Sequence, residues 1–359
     1  MSLLTFTNII PPLFVTAIAL ISARLMVRDT SATDSHQFSS IDGLRGYLAL
    51  FVFIHHSGFW FNYSKTKSWV IGDSLYLSFG HTSVCLFFML SGFLFGYKLL
   101  EAREKPIDWL KLFCSRLLRL SPLYMCLLTA VLITISIESK FIINDDSATL
   151  INNITDWILF TATGHPDING YTNTHLLVAG VIWTLPYEWY FYFSLPFIGL
   201  LIGSKSTPNS GIWLILSCAC IIGFSSWHFD STLLWGFLAG GIVAYIVKTS
   251  WLSELFKTKN SNWILLAGII ISYTVFDNGT FYTRLLILTT CMAFIACGSN
   301  LFGILDCRAA KALSTVSYGV YLLHGLVLHI VFMHVFNEST RNNFSSDQQW
   351  LVIFICTPI

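Results

Sequence analysis

Long apolar runs recur along the whole chain, at about residues 8–27, 44–61, 76–97, 120–137, 176–202, 211–227, 232–247, 263–276, 285–305 and 314–336. Most approach the ~20 residues that an α-helix needs to cross a hydrocarbon core of about 30 Å. An eleventh run starts near Gln349 and reaches Ile359. It offers about 16 Å of helix, so it reads as a span cut short or as a re-entrant piece. Composition agrees with this pattern. Only 11% of residues are charged and 55% are hydrophobic, whereas soluble domains run near 25% charged. The expected fold is therefore all-α, a polytopic transmembrane helix bundle of about 10–11 spans. The net charge of +1 argues against a nucleic-acid partner.

Lys and Arg give the orientation. With the 28–43 segment placed inside and the spans alternating, 15 of the 20 basic residues fall on the inner side. The other five are Lys65, Lys67, Lys140, Arg284 and Arg341. That bias is the positive-inside pattern, and it puts the N-terminus outside. The first run makes a poor signal peptide, because it carries Pro11 and Pro12 and its arginines (Arg24, Arg28) follow the apolar stretch. Residues 1–40 thus read as an extra transmembrane helix with a cytoplasmic linker, ahead of a membrane domain over 41–359. The largest outside loop, about 139–175, is polar and holds Asp145, Asp146, Asp156, His165, Asp167 and His175. The nine cysteines lack the paired spacing of a zinc site or a disulfide framework, and read as small buried hydrophobes.

Charges inside spans cost several kcal/mol, so each is a functional candidate. The stretch IDGLRGYLALFVFIHH opens the second run, with Asp42 and Arg45 at one end and His55 and His56 at the other. Eleven residues separate Arg45 from His56. At 100° per residue they share one helix face, about 16 Å apart along the axis, while His55 points about 100° away. Taken alone, the pair is equally a snorkelling arginine and a core histidine bonded to a carbonyl. CSRLLRLSPLY places Arg116 and Arg119 at the next cytoplasmic helix entrance. With Arg45 they can form a basic cluster for phosphates, or serve only as positive-inside anchors. WTLPYEWYFYFSLP sets Glu188 in an aromatic helix, five residues after Trp183, where a carboxylate needs a donor. SYGVYLLHGLVLH carries His324 and His329.

In chain order these stretches resemble the integral-membrane acyltransferase-3 family, over about Ile41 to His329. IDGLRGYLALFVFIHH matches that family's opening motif, including the interval from Arg45 to His56. FFMLSGFL, with Ser91, matches the next. Arg116 and Arg119 match an R-x-x-R followed by L-x-P-L-Y. Trp183, Glu188, Phe191 and Tyr192 fall at the offsets of a W-s-L-x-x-E-x-x-F-Y pattern, and Ser317, Tyr318, Tyr321 and His324 match SYxxYLxH. The helix before the first motif is a departure, as are the early stop in the last span and the missing hydrolase-like outer domain that some members carry.

The resemblance implies an enzyme that moves an acyl group, usually acetyl, from cytoplasmic acyl-CoA to a hydroxyl of a surface or exported glycan. It implies a multi-pass protein of the inner (plasma) membrane, with acetyl-CoA or another acyl-CoA as co-substrate, no bound cofactor, and a carbohydrate or glycolipid acceptor. Arg45, Arg116 and Arg119 would hold the donor's phosphates in one cytoplasm-facing cavity. His56 would work at its inner end, as a base or as an acyl carrier, since imidazole titrates near neutral pH. Glu188 would orient a histidine or bind a sugar hydroxyl, with Asp42, Ser91, Trp183, Tyr192, Ser317, Tyr318 and His324 in support. The competing class is a transporter or flippase for a glycan or lipid-linked intermediate, but no inverted repeat or matching pair of broken helices is present.

Overall fold

A computed structural model describes residues 8–26, 38–72, 74–206, 210–223, 230–278, 280–336 and 338–357. Arg28, the rest of the 27–37 linker and positions 224–227 of the sixth apolar run lie outside this set. The protein is all-α. Its elements are α1 (Ile10–Met26), α2 (Ser39–Thr66), α3 (Ser74–Glu101), α4 (Trp109–Glu138), α5 (Ser147–Ile158), α6 (Thr184–Leu201), α7 (Ser210–Gly223), α8 (Ser231–Lys248), α9 (Ser250–Phe256), α10 (Ser261–Asn278), α11 (Phe281–Ala296), α12 (Arg308–Ile330), α13 (Glu338–Asn343) and α14 (Ser346–Cys356). Among the described residues four helical stretches are long and apolar enough to cross a membrane: Leu75–Glu101, Trp109–Glu138, Ser231–Lys248 and Arg308–Val335. Shorter apolar helices occupy Ile10–Met26, Gly211–Gly223, Ser261–Tyr273 and Phe281–Ala296.

Among the described residues, the 314–336 run ends in a π-helical turn at Val331–Val335, and two further apolar runs depart more strongly from a plain helix. The 176–202 run begins as 3-10 turns at Thr174–Val178 and Val181–Trp183, and only then becomes α6. Ala179 and Gly180, at φ 51° and 70°, break the path between them. The 285–305 run ends its helix at Ala296. Beyond it Gly298, Leu301, Phe302 and Gly303 all have positive φ, so the remainder is a chain of turns. The last run is α14. It is capped by Ser345, whose side chain accepts from Gln348 N while the Gln348 side chain accepts from Ser345 N.

The chain divides into two compact units, Met1–Phe93 with Trp235–Ile359, and Leu94–Leu234. The core of the first is aromatic. Trp60, Tyr76, Phe332 and Trp350 are fully buried in it, together with Val15, Ala19 and Ala23 of α1 and Ile353 and Cys356 of α14. The early helix and the last helix therefore pack into this core. Two motif glycines allow its backbones to touch. A Cβ at Gly43 would run into the Leu305 carbonyl, and one at Gly92 into that of Phe237. In the second unit Phe113 stacks between Phe193 of α6 and Trp213 of α7. Its polar loop is folded: α5 is capped by Asp146, and buried Trp157 bonds Pro166 O through Nε1 and accepts from Tyr124 on its own carbonyl.

The cysteines correct one expectation. All nine are free, but Cys85, Cys291 and Cys356 alone are buried, while Cys114, Cys126 and Cys218 are exposed. On a helix that faces lipid, an apolar thiol has no need of a core.

Candidate functional site

α2 carries both ends of the opening motif on one continuous helix, which fixes their separation at about 16 Å by rise alone. Its first turn is docked on the segment before α12. Ser40 Oγ donates to Asp306 Oδ1 at 3.0 Å, Tyr47 OH donates to Ile304 O at 3.2 Å, and Gly43 lies against Leu305 O. Burial alone would raise the Asp306 carboxyl, but hydrogen bonds, from Asn300 and Ser40 among others, hold it below the ordinary carboxylate range. Arg45 is half-buried in this turn and pairs with Asp42 at 3.5 Å.

At the other end His56 meets His324 of α12. His324 Nε2 lies 2.9 Å from His56 Nδ1, and the rings are 5.0 Å apart. Carbonyl oxygens only accept, and this assigns the protons. The Val320 carbonyl, 2.8 Å from His324 Nδ1, puts the proton of a neutral His324 on that atom. His324 Nε2 must then accept, so His56 Nδ1 carries the proton and shares it with Val52 O at 3.1 Å. His56 Nε2 is left unprotonated. His324 is 4% exposed and His56 is half-buried.

His55 is bound differently. Its Nδ1 donates to Tyr76 O at 2.7 Å, and its ring lies against Gly80 of α3, where a Cβ would come within 2.6 Å. It nevertheless extends the cluster: its ring is 4.7 Å from that of His56 and 6.5 Å from that of His81. Arg284, at the start of α11, acts electrostatically on His81. His81 and Arg284 were not singled out in the sequence, because each is one polar residue at the end of an apolar run and nothing local marks its neighbours. His329 stands apart from this group. It is buried against Trp60, with its Nε2 3.3 Å from that of His334.

The remaining candidates lie on α3 and α12. Ser317 is buried and its hydroxyl donates to Ser314 O one turn back. Ser91 and Tyr318 are half-buried. Tyr321 lies between Phe87 and His324.

A second locus belongs to the other unit. Tyr192 OH donates to Glu188 Oε2 at 2.8 Å, one turn along α6, which supplies the donor that a carboxylate among aromatics requires. The Tyr192 ring packs on Phe95, and the Arg116 guanidinium lies over that same Phe95 ring, 5.4 Å from its centroid. Arg116 and Arg119 both act electrostatically on Tyr192. Arg116 is half-buried and Arg119 exposed. Trp183 packs edge-on against Tyr187, whose hydroxyl accepts from Asp230 N. Asp42, Arg45, His56 and His324 thus belong to one unit, and Arg116, Arg119, Trp183, Glu188 and Tyr192 to the other.

The family model described as an acyltransferase domain, that of the acyltransferase-3 group, matches residues 38–358. The chain belongs to the acyltransferase-3 family. It is a membrane acyltransferase, and the transporter alternative gives way to group transfer. The match begins at the residue before α2, so α1 precedes it. No curated protein and no solved structure matches the chain.

Proposed function

We propose that this acyltransferase takes an acyl group, in the simplest case acetyl, from acyl-CoA on the cytoplasmic side of the plasma membrane and passes it to a hydroxyl of a cell-surface or exported glycan. The observation that carries the reading is the His324–His56 pair. Its hydrogen bonds leave His56 Nε2 as a base, on the same helix as an arginine about 16 Å away.

In this mechanism His56 Nε2 takes the proton of the acceptor hydroxyl as its oxygen attacks the thioester carbonyl. A C–O bond forms, the C–S bond breaks, and the CoA thiolate leaves, taking the proton from His56. His324 is a positioning residue: its Nε2 accepts from His56 Nδ1 and so keeps the opposite nitrogen basic. When His56 becomes an imidazolium, its Nδ1–H is already bonded to His324 and to the Val52 carbonyl. Arg116 and Arg119 are assigned to the phosphates of CoA, which guanidinium forks bind in two-point fashion, and Arg45 is a candidate for the same chemistry within its own unit. Glu188, with its second oxygen partner fixed by Tyr192, is assigned to a sugar hydroxyl. Supporting this reading are the family, the two basic groups and the preset imidazole.

The test is purified protein in liposomes with acetyl-CoA, followed by CoA release with and without candidate glycans. Glycan-dependent CoA release with an ester on the glycan is the expected result. A protein that binds acetyl-CoA but never consumes its thioester would contradict it.

A further inference from the structure

Composition makes 139–175 an outside loop, yet its contacts carry part of it back along a spanning helix. Tyr124 OH donates to Trp157 O at 2.6 Å, and the Tyr124 and Phe160 rings stack with centroids 4.8 Å apart. Tyr124 precedes Glu138, the last residue of α4, by about 21 Å of helix. α5 has 12 residues, about 18 Å of helix, and begins at Ser147, soon after α4 ends. To bring Trp157 to Tyr124, α5 must run antiparallel beside the last turns of α4. Those turns belong to Trp109–Glu138, one of the stretches able to cross a membrane. The chain then returns. Trp157 Nε1 donates to Pro166 O at 2.9 Å, Asn153 Nδ2 to Asp167 O at 2.8 Å, and Asn169 Nδ2 to Ile142 O at 2.8 Å. Residues 166–169 therefore climb from the last turn of α5 to the corner before its first, and the two arms make a hairpin with Phe160 near its tip.

At 100° per residue α5 has three faces. One, with buried Trp157 and half-buried Leu150, turns into the unit. The second holds Ile151, Ile154 and Ile158, spaced i, i+3 and i+7. Ile151 and Ile158 are 63% and 45% exposed, and Leu159 at the C-cap extends the patch at 51%. The third is polar, with Thr149, Asn152 and Asp156. It continues into the tip, where Thr163 Oγ1 donates to Asp156 Oδ1, and into the returning arm, where Asp167 is exposed. Beside a spanning helix these two exposed faces need different surroundings. A carboxylate is strongly unfavourable in hydrocarbon, and irregular backbone at membrane depth is tolerated only where it is buried or lines water. A row of exposed isoleucines is instead suited to acyl chains.

We propose that residues 147–169 form a re-entrant hairpin, with Ile151, Ile158 and Leu159 against lipid acyl chains and with Asn152, Thr163 and Asp167 lining a water-filled vestibule that reaches the depth of Tyr124. Phe160, at the tip, packs on Trp189 of α6 with ring centroids 5.5 Å apart, and Glu188 is the residue before it. The vestibule thus ends beside the Glu188–Tyr192 pair, and a polar co-substrate reaches that carboxylate through water without crossing hydrocarbon. This last consequence rests on the acyl-transfer reading; the two faces of the hairpin do not.

The test is labelling of the full chain in phosphatidylcholine nanodiscs, mapped by peptide mass spectrometry so that the native cysteines are read separately. Asn152→Cys and Thr163→Cys place thiols on the polar face, and Ile151→Cys and Ile158→Cys on the apolar one; all four positions are exposed, so folding is little disturbed. A charged, membrane-impermeant methanethiosulfonate should modify the first two at least ten-fold faster than the last two. In the unsubstituted chain, a phosphatidylcholine with a diazirine on its acyl chain should mark the peptide that carries Ile151 and Ile158, a readout that needs no variant. Equal labelling of all four thiols, with no lipid adduct, would mean that the loop stands in water. Failure of the reagent to reach either polar-face thiol would mean that no vestibule exists. A disulfide between two copies through Ile151→Cys, in place of lipid adducts, would give the apolar face to a second chain. Each of these results overturns the proposal. None of the readouts requires turnover, so a chain that labels as expected but transfers no acyl group would remove the acyl-transfer reading and leave the hairpin standing.

Discussion

His324 Nε2 lies 2.9 Å from His56 Nδ1, and the carbonyl of Val320 decides which of them donates. The relationship makes His324 a positioning residue whose loss should alter rate more than binding. His324→Ala removes the acceptor and lets His56 adopt either tautomer, so kcat should fall about 10²-fold, with KM for acyl-CoA nearly unchanged. His324→Gln can still accept from His56 Nδ1 through its amide oxygen and should recover part of that loss. A pH–rate profile separates this from mere destabilisation: in His324→Ala the acidic limb, set by protonation of the His56 base, should move, whereas a packing defect would lower the whole curve.

Arg116→Ala should raise the KM for acyl-CoA by about ten-fold or more, in line with a lost charge-assisted contact of about 1.5–3 kcal/mol. Folding should be little affected, because the guanidinium is half-buried and covers only the face of Phe95. The readout is donor titration in detergent at matched protein levels. An unchanged KM would leave Arg116 as a membrane anchor.

Glu188→Gln and Tyr192→Phe divide the second locus. The first keeps the shape and removes the charge, so transfer to the glycan should drop while thioester hydrolysis persists. The second takes away the donor to Glu188 Oε2, whose loss in a buried setting costs about 1–3 kcal/mol. Tyr192→Phe should therefore show a lowered melting temperature as well as lower transfer, and Glu188→Gln mainly the latter.

The opening motif mixes packing with chemistry, and two substitutions should tell them apart. Gly43→Ala drives a methyl into the Leu305 backbone, and overpacking of this kind costs about 1–3 kcal/mol. Yield and thermal stability should both fall. Asp42→Ala removes a partly exposed ion pair with Arg45 at 3.5 Å, worth at most about 1 kcal/mol, and should leave stability nearly intact. Thermal unfolding in detergent measures both.

Much of this site could be read in the sequence because it is local. Arg45 and His56 lie on one helix, so periodicity alone gives their phase and separation. Glu188 and Tyr192 are one turn apart for the same reason. The His56–His324 bond could not be read, since 268 residues separate the partners and no spacing rule spans that interval. The same holds for His81 and Arg284. The helix count was harder still. Apolar composition does not distinguish a helix from 3-10 turns or a string of positive-φ residues, so the runs at 176–202 and 285–305 looked like single spans.

Acyl transfer by His56→Ala compared with His55→Ala tests the account most directly. The two imidazoles are adjacent and of equal volume, but one pairs with His324 and the other is tied to Tyr76 O and packed on Gly80. With each variant normalised to its level in membranes, His56→Ala should lose transfer by about 10²–10⁴-fold, and His55→Ala should keep most of it. Equal losses would mean a structural role for both, and a loss confined to His55→Ala would place the base on the wrong ring.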